Sequence, residues 1–300
     1  MSSVKNHTTA WEADAKGSEK NRVMGGTLYL VATPIGNLAD LSERAVKVLS
    51  EVDFIAAEDT RNTMHLLTYL GIQKPMVSYF EHNKRARGEE ILARISSGES
   101  CALVTDAGMP AVSDPGADLV ALCAERGISV SCVPGACAVV TALALSALPT
   151  GRFCFEGFLS TDKTSRKRHL ASLAQEQRTM IFYEAPHKLV STLRDLCEVF
   201  GGDRRISLCR ELTKLNEEIL RMTLAQALDY YAERQPRGEY VLVLAGKDGK
   251  TGTEDAFWQQ MSVPEHVAYY MEQGMEKKEA IKAAAKDRGV QKNEIYQQVL

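Results

Sequence analysis

Short apolar stretches alternate with helical patterns along the first half of this chain, and this alternation restricts the fold more than any other feature of the sequence. The clearest stretches are residues 27–33 (TLYLVAT), 54–57 (FIAA), 101–104 (CALV) and 128–133 (ISVSCV). Each is followed by a turn with Gly, Pro or Asp and then by apolar residues at helical spacing. Strands that alternate with helices pair in parallel. The sequence therefore predicts an α/β fold with a mostly parallel sheet covered by helices on both faces.

The loop at 105–116 (TDAGMPAVSDPG) contains two Gly and two Pro, more than a simple strand-to-helix turn needs. It follows the predicted strand 101–104 and so lies at the carboxyl end of the sheet, where open α/β sheets bind ligands. Gly108 allows the backbone to approach a ligand closely, and the prolines restrict the shape of the loop. Asp106 places a carboxylate at the end of the strand. The pattern favours a binding loop over an ordinary turn.

The second half of the chain has a different pattern. Residues 206–209, 218–222 and 240–244 are strand-like, with little helical pattern between the first two. Strands that are joined directly pair antiparallel, so we predict a mixed sheet here. The predicted organisation is a disordered tail at 1–24, an α/β domain at 25–148, a second α/β domain at 149–246, a linker at 247–263 and a small C-terminal helical module at 264–300.

The composition, with 45% hydrophobic and 25% charged residues, is typical of a soluble globular chain. A formal net charge of −3 gives no overall attraction to nucleic acid, so RNA binding would depend on local basic patches. The apolar stretch 136–148 is too short to span a bilayer, and residues 1–24 lack the apolar core of a signal peptide. Seven cysteines without a Cys-x-x-Cys pair favour reduced thiols. These features predict a cytoplasmic protein that does not associate with a membrane.

Several common catalytic signatures are absent from the sequence. There is no Gly-x-Gly-x-x-Gly, no Gly-x-Ser-x-Gly and no His-Glu-x-x-His, and no histidine pair has a convincing metal-ligand spacing. We therefore predict no metal site. The remaining candidates are strand-end loops rich in small residues and backbone groups, which suit an extended polar ligand of mixed charge. S-adenosylmethionine is such a ligand, but composition alone does not distinguish it from a nucleotide.

A set of short motifs in a fixed order carries a family resemblance. The motifs are LVATPIGNL at 30–38, EDTR at 58–61, DAGMP at 106–110, SDPG at 113–116, PG at 134–135, YEAPH at 183–187, RELTK at 210–214 and GE at 238–239. Together they resemble the tetrapyrrole-methylase superfamily, and within it the branch that methylates RNA of the small ribosomal subunit. The resemblance covers about residues 25–246 and extends to the C-terminal helical segment. Each motif alone is weak, whereas the ordered set is highly specific.

The resemblance implies a cytoplasmic, homodimeric enzyme that uses S-adenosylmethionine to methylate the ribose 2′-oxygen of a cytidine in the decoding region of 16S ribosomal RNA. It also implies two α/β domains with the cofactor between them. Carried over by motif, the cofactor-binding residues would be Pro34, Asp106, Ala107, Gly108, Met109, Ser113, Pro134 and Gly135 from the first domain and Tyr183, Glu184 and Pro186 from the second. Two positions depart from the family pattern: Ala147 stands where Gly is common, and Ser160 where Pro is common.

Methyl transfer to a ribose hydroxyl needs alignment and a proton acceptor, because the hydroxyl is a poor nucleophile until its proton leaves. A positioned base contributes about 10²- to 10⁴-fold. The candidates are Glu58, Asp59, Glu211 and, if burial lowers its pKa, Lys214. Lys214 could instead hold a phosphate. For Glu58, Asp59 and Arg61, helix capping with a local ion pair explains the residues as well as RNA contact does. For Glu211 the alternative is an inter-strand pair with Arg210.

Local basic residues are the candidates for RNA contact, namely Arg61, Lys163, Arg166, Lys167 and Arg168. Such side chains bind phosphates without reading sequence, although a solvated helix face is the ordinary alternative. The predicted function is 2′-O-methylation of ribosomal RNA. The alternatives are a carbon methyltransferase acting on a corrin precursor or other tetrapyrrole, and a non-catalytic ribosome-assembly factor. The basic clusters and the C-terminal helices favour RNA, since a small macrocycle needs neither.

Overall fold

The computed structural model describes residues 22–247, 258 and 261–299. The chain divides into two units, with the boundary between Gly246 and Lys247. The first unit contains two five-stranded sheets, and the second contains three helices. Of the predicted tail at 1–24, residues 1–21 lie outside the described residues, as does most of the predicted linker at 247–263.

The first sheet is parallel, as the alternation of strands and helices predicted. Its strands are β1 (Thr27–Val31), β2 (Phe54–Ala57), β3 (Met76–Ser78), β4 (Cys101–Val104) and β5 (Ser129–Val133), in the spatial order β3-β2-β4-β1-β5. Its helices are α1 (Glu43–Glu51), α2 (Thr60–Tyr69), α3 (Lys84–Ser96), α4 (Gly116–Glu125) and α5 (Ala138–Leu145). Every residue of β2 and β4 is buried, because successive side chains enter hydrophobic cores on opposite faces of the sheet.

The second sheet is mixed, which confirms the second part of the predicted fold. Its strands are β6 (Phe153–Phe158), β7 (Thr179–Glu184), β8 (Arg205–Arg210), β9 (Glu218–Thr223) and β10 (Tyr240–Leu244), in the order β6-β7-β10-β8-β9. β6 and β7 pair in parallel, and the other neighbours are antiparallel. The helices of this half are α6 (Lys163–Ser172), α7 (Leu189–Phe200) and α8 (Leu224–Tyr230), and a short 3₁₀ turn covers Pro186–Lys188.

The second unit consists of α9 (Val263–Glu272), α10 (Lys277–Arg288) and α11 (Lys292–Val299). Its small core includes Val267, Ile281, Ala284 and Ile295, in agreement with the predicted C-terminal helical segment. Tyr296, on α11, is 46% exposed and does not belong to this core. Across both units, none of the helices that the structure describes has the length and hydropathy needed to cross a bilayer.

Ala147, one of the two departures from the family pattern, has a left-handed backbone with φ of 57°. It lies just after α5, where the chain turns towards the second sheet. An L-residue adopts this conformation at a cost of about 1–2 kcal/mol, whereas glycine does so freely. This strain explains why glycine is favoured at such a position.

We therefore expect Ala147→Gly to raise the free energy of unfolding by about 0.5–1 kcal/mol, which is the relieved strain less the entropy that glycine adds to the unfolded chain. Denaturant unfolding measures the change. Ala144→Gly is the matched control, because Ala144 is an exposed residue inside α5. There the same substitution should lower the free energy of unfolding by about 0.5–1 kcal/mol. Two losses of equal size would contradict the strain at Ala147.

Candidate active site

A cleft with a volume of about 640 Å³ opens where the loop after β4 faces the ends of strands from the second sheet. From the first half of the unit it is lined by Ile35, Glu58, Thr105, Asp106, Ala107, Gly108, Met109, Val112, Ser113, Asp114, Cys137 and Ala138. From the second half it is lined by Phe158, Tyr183, Glu184, Ala185, Pro186, His187, Cys209, Glu211, Leu212, Lys214, Glu239, Tyr240 and Val241. The cleft therefore lies at the carboxyl edge of the parallel sheet, where the sequence placed a binding loop.

Backbone hydrogen bonds join the loop after β1 to the loop after β4. The N–H of Thr33 donates to the carbonyl of Gly108 (3.0 Å), and the N–H of Gly108 donates to the carbonyl of Thr33 (3.1 Å). The Thr33 hydroxyl also donates to the carbonyl of Thr105 (3.0 Å). Gly108 has φ of 85°, and a Cβ there would lie 3.1 Å from the Ile35 side chain. Only glycine fits this crossing without strain, so the loop presents backbone to the cleft.

The side chain of Asp114 shapes the rest of this loop. Its carboxylate accepts hydrogen bonds from the N–H groups of Ala111 (3.0 Å), Val112 (3.2 Å) and Gly116 (2.8 Å). Ala111 and Ser113 both have positive φ, at 65° and 72°. The hydrogen bonds offset that strain, so Asp114 holds Ser113 at the cleft by organising the backbone around it.

Aromatic side chains form the opposite wall. Tyr183 packs against Phe155, with ring centroids 5.0 Å apart, and against Phe158 at 5.3 Å. Burial raises the pKa of Tyr183 to about 12, so its hydroxyl is harder to ionise than that of an exposed tyrosine. The buried carboxylate of Glu184 accepts from the N–H of Ala185 (2.9 Å) and from the hydroxyl of Thr192. Glu184 thus braces the turn that brings Pro186 to the cleft.

A cluster of one cation and two carboxylates lies at the mouth of the cleft. The ammonium of Lys214 donates to Glu211 (3.0 Å) and to Glu239 (2.8 Å). Burial favours the neutral amine, but these two hydrogen bonds outweigh it and raise the pKa of Lys214. The backbone N–H of Glu239, assisted by Lys214, lowers the pKa of Glu211. Lys214 is therefore an ammonium, and the condition under which it would act as a base is not met.

Glu211 does not form the inter-strand pair with Arg210 that was the alternative to its role as a base. Arg210 lies 3.1 Å from Glu218, so the predicted pair between Glu211 and Arg210 is not the contact that forms. Glu239 has a role that sequence reasoning missed, although the GE motif contained it. Lys214 also packs against the loop after β1, in the first half of the unit. A Cβ on Gly36 in that loop would lie 2.3 Å from Cγ of Lys214.

Glu58 and Asp59 are neighbours in the chain but have different environments. Glu58 lines the cleft, and its Oε2 accepts from the hydroxyl of Thr105 (2.7 Å). Asp59 caps α2 by accepting from the N–H of Arg61 (2.8 Å), and it pairs with the guanidinium of Arg61 at 2.7 Å. This side-chain hydrogen bond from Arg61 lowers the pKa of Asp59 to about 2. Capping with a local ion pair describes Asp59 and Arg61, whereas Glu58 is directed to the cleft.

The remaining predicted cofactor residues divide between the cleft and its surroundings. Asp106 lines the cleft and also a second cavity of about 310 Å³, which Pro34 lines as well. Pro134 and Gly135 are not among the residues that line either cavity. A Cβ on Gly135 would lie 2.9 Å from Cβ of Ala32, so Gly135 allows the loop after β5 to pack against the residue that follows β1.

The predicted RNA-binding residues on α6 also divide into two groups. Lys163, Lys167 and Arg168 are exposed. Arg166 is partly buried, and its guanidinium donates to Asp195 (2.5 Å) and to the hydroxyl of Thr192 (2.8 Å). For Arg166 the geometry favours an internal contact between α6 and α7.

Comparison with known proteins gives consistent family matches. Residues 27–228 match the family model described as Tetrapyrrole (Corrin/Porphyrin) Methylases. The chain is 48% identical to the Halalkalibacterium halodurans protein named Ribosomal RNA small subunit methyltransferase I, over 90% of this chain and 93% of the relative. Proteins with the same name are 46% identical in Bacillus subtilis (90% and 93% covered) and 44% identical in Pseudomonas aeruginosa (92% and 97% covered).

Solved structures with low sequence identity have the same fold. The crystal structure of uroporphyrin-III-C-methyltransferase from Thermus thermophilus aligns with a TM-score of 0.53 at 20% identity, covering 73% of this chain and 94% of that one. Diphthine synthase aligns with a TM-score of 0.55 at 14% identity, covering 73% and 90%. These likenesses confirm the predicted α/β fold with its parallel and mixed sheets.

Proposed function

Because this chain belongs to the tetrapyrrole methylases, we propose that it transfers the methyl group of S-adenosylmethionine to the ribose 2′-oxygen of a cytidine in the decoding region of 16S ribosomal RNA. The observation that carries the proposal is the match, at 44–48% identity over nine-tenths of the chain, to proteins named Ribosomal RNA small subunit methyltransferase I. The chain is thus a ribosomal RNA methyltransferase that uses S-adenosylmethionine. The small subunit as substrate, a homodimeric state and a cytoplasmic location complete the proposal.

The residues of the cleft fit this methyl donor. A volume of about 640 Å³ is within the range of pockets that enclose ligands of this size. The carboxylate of Asp106, in the loop after β4, suits a ligand that carries positive charge. A Thermus thermophilus enzyme of the same fold is described as a complex with S-adenyl homocysteine. We propose that one wall holds the donor through Asp106, Ala107, Gly108, Met109 and Ser113, and the other through Tyr183, Glu184 and Pro186.

The donor would supply a methyl group on a sulfonium, from which the sulfur departs as a neutral thioether, a good leaving group. What remains for the protein is to align the ribose hydroxyl, to exclude water and to accept a proton. The aromatic wall of Tyr183 and Phe158 covers one side of the cleft with apolar surface. The rate enhancement then depends on the residues of the cleft walls to orient the substrates and on one base to accept the proton of the ribose hydroxyl.

Glu58 is the proposed base. Asp59 is held by Arg61, Lys214 is an ammonium, and Glu211 is engaged by Lys214 and by the N–H of Glu239. Glu58 lines the cleft and is oriented by a single hydroxyl, that of Thr105, among the contacts of the described residues. A carboxylate in this position accepts the proton of the 2′-hydroxyl as the oxygen attacks.

The RNA contacts proposed for this chain are electrostatic. The exposed residues Lys163, Lys167 and Arg168 on α6 contact phosphates. Each such contact positions the RNA without reading its sequence, so the choice of nucleotide must arise elsewhere.

The experiment that tests the function is methyl transfer from labelled S-adenosylmethionine to small ribosomal subunits, naked 16S RNA and a corrin precursor. We expect label in RNA, at a single nucleotide that resists alkaline hydrolysis because its 2′-oxygen is methylated. Label in the corrin precursor alone would support the tetrapyrrole alternative. Donor binding with no transfer to any acceptor would support a non-catalytic assembly factor.

A further inference from the structure

The second cavity, of about 310 Å³, adjoins the cleft and has a different chemical character. It shares Thr105 and Asp106 with the cleft, and it is otherwise lined by α2, from Asn62 to its last residue Tyr69, and by the loop after β1. The side chains that line it include Leu38, Asn62, His65 and Tyr69. The cavity is therefore a mixed aromatic, apolar and amide site that is continuous with the proposed catalytic cleft.

Tyr69 is available for stacking. Its side chain is 68% exposed at the last residue of α2, and Leu38 beside the same cavity is 45% exposed. Large apolar side chains in such positions do not stabilise the core. An exposed aromatic ring beside a cavity of this size is what single-stranded RNA readers use to hold an unstacked base.

Asn62 supplies a polar group with a defined orientation. Its Nδ2 donates to Oδ2 of Asp106 (3.2 Å), and this hydrogen bond orients the amide group with its nitrogen towards Asp106. The amide oxygen Oδ1 then remains an acceptor. Cytosine carries an amino group at C4, which donates, whereas uracil carries an oxygen there, which accepts. An acceptor at this point favours cytosine over uracil.

We propose that this cavity holds the base of the acceptor nucleotide, stacked on Tyr69, and that Asn62 makes the site selective for cytosine. The inference rests on the proposed function and names its specificity determinants. The shared residues support it, because a base in the cavity places its ribose beside Thr105, the hydrogen-bond partner of Glu58. The carboxylate of Asp106, which lines the cavity, disfavours a phosphate and is compatible with a neutral base.

Tyr69→Ala tests the stacking role. We expect its affinity for small ribosomal subunits to fall about tenfold, and that of Tyr69→Phe to stay within about twofold, because stacking needs the ring and not the hydroxyl. Affinity for S-adenosylmethionine, measured by titration calorimetry, should be native in both variants. Phe153→Ala is the matched control, since it removes another exposed aromatic ring outside both cavities. Native subunit affinity of Tyr69→Ala would overturn the proposal.

Asn62→Ala tests the choice of base. The native protein should methylate subunits with cytidine at the target position at least about tenfold better, in kcat/KM, than subunits with uridine there. Asn62→Ala should reduce that ratio towards one, mainly by losing activity on cytidine. A ratio that stays native in Asn62→Ala would overturn the role of Asn62 whatever the absolute rate.

The outcomes distinguish this inference from the function on which it rests. If the native protein methylates RNA but Tyr69→Ala keeps native subunit affinity and Asn62→Ala keeps the native base ratio, the proposed function is retained and the proposed base pocket is rejected. If the native protein does not methylate RNA, both the proposed function and the proposed base pocket are rejected. A change of oligomeric state in Tyr69→Ala, measured by light scattering, would assign this surface to a second copy of the chain and would also overturn the proposal.

Discussion

Glu58→Gln is expected to lower kcat for methyl transfer by about 10²- to 10⁴-fold, the usual contribution of a positioned general base. The glutamine keeps the shape of the side chain and an oxygen that accepts from the hydroxyl of Thr105, a contact of 2.7 Å in the native protein. It does not take up a proton at neutral pH. Single-turnover transfer of labelled methyl to small subunits measures the loss. Donor affinity and the midpoint of thermal unfolding should remain close to native.

Asp59→Asn is the discriminating variant, because Asp59 is the adjacent carboxylate and caps α2. Asparagine is an equally good N-cap residue, so we expect kcat to change by no more than a few-fold. The pair of variants separates the two neighbours that sequence alone left equivalent. Near-native kcat in Glu58→Gln, or equal large losses in both variants, would contradict the assignment of Glu58 as the base.

The architecture was predictable where local patterns determine it. The alternation of apolar runs with helical spacing predicts parallel pairing, and the directly joined strands now seen as β8 and β9 predict the mixed sheet. The order of strands was not predictable, because periodicity says which face of a strand is buried and not which strand lies beside it. Cys132 illustrates the limit: it belongs to the apolar stretch 128–133, yet β5 is an edge strand and Cys132 is exposed.

The part of the site that lies at the ends of strands was predictable from the sequence. Asp106 follows β4 of the first sheet and Tyr183 lies near the end of β7 in the second, and both line the cleft. Residues that act through contacts distant in sequence were missed. Glu239 accepts a hydrogen bond from the ammonium of Lys214, 25 positions away, and Asn62 donates one to Asp106, 44 positions away. Asn62 lies within a helix and has no local signal, so only the fold reveals it.

Arg166 shows how a basic cluster divides into residues with different tasks. Its side chain is 13% exposed and joins α6 to α7 through Asp195, whereas Lys167 and Arg168 beside it are exposed. Its second contact, to the hydroxyl of Thr192, continues to the buried carboxylate of Glu184 at the cleft. Composition treats these basic residues alike, but burial and hydrogen bonding make Arg166 a structural residue that supports the wall of the site.

Arg166→Ala is therefore expected to lower the free energy of unfolding by about 1.5–3 kcal/mol, the cost of losing hydrogen bonds to a charged group. Arg168→Ala, on the same helix, should change it by less than about 0.5 kcal/mol. The order reverses for RNA: Arg168→Ala should weaken subunit binding and reduce its salt dependence by about one ion, because it removes one phosphate contact. Denaturant unfolding and binding at several salt concentrations measure the two effects. A stable Arg166→Ala protein with reduced salt dependence would instead place Arg166 on the RNA.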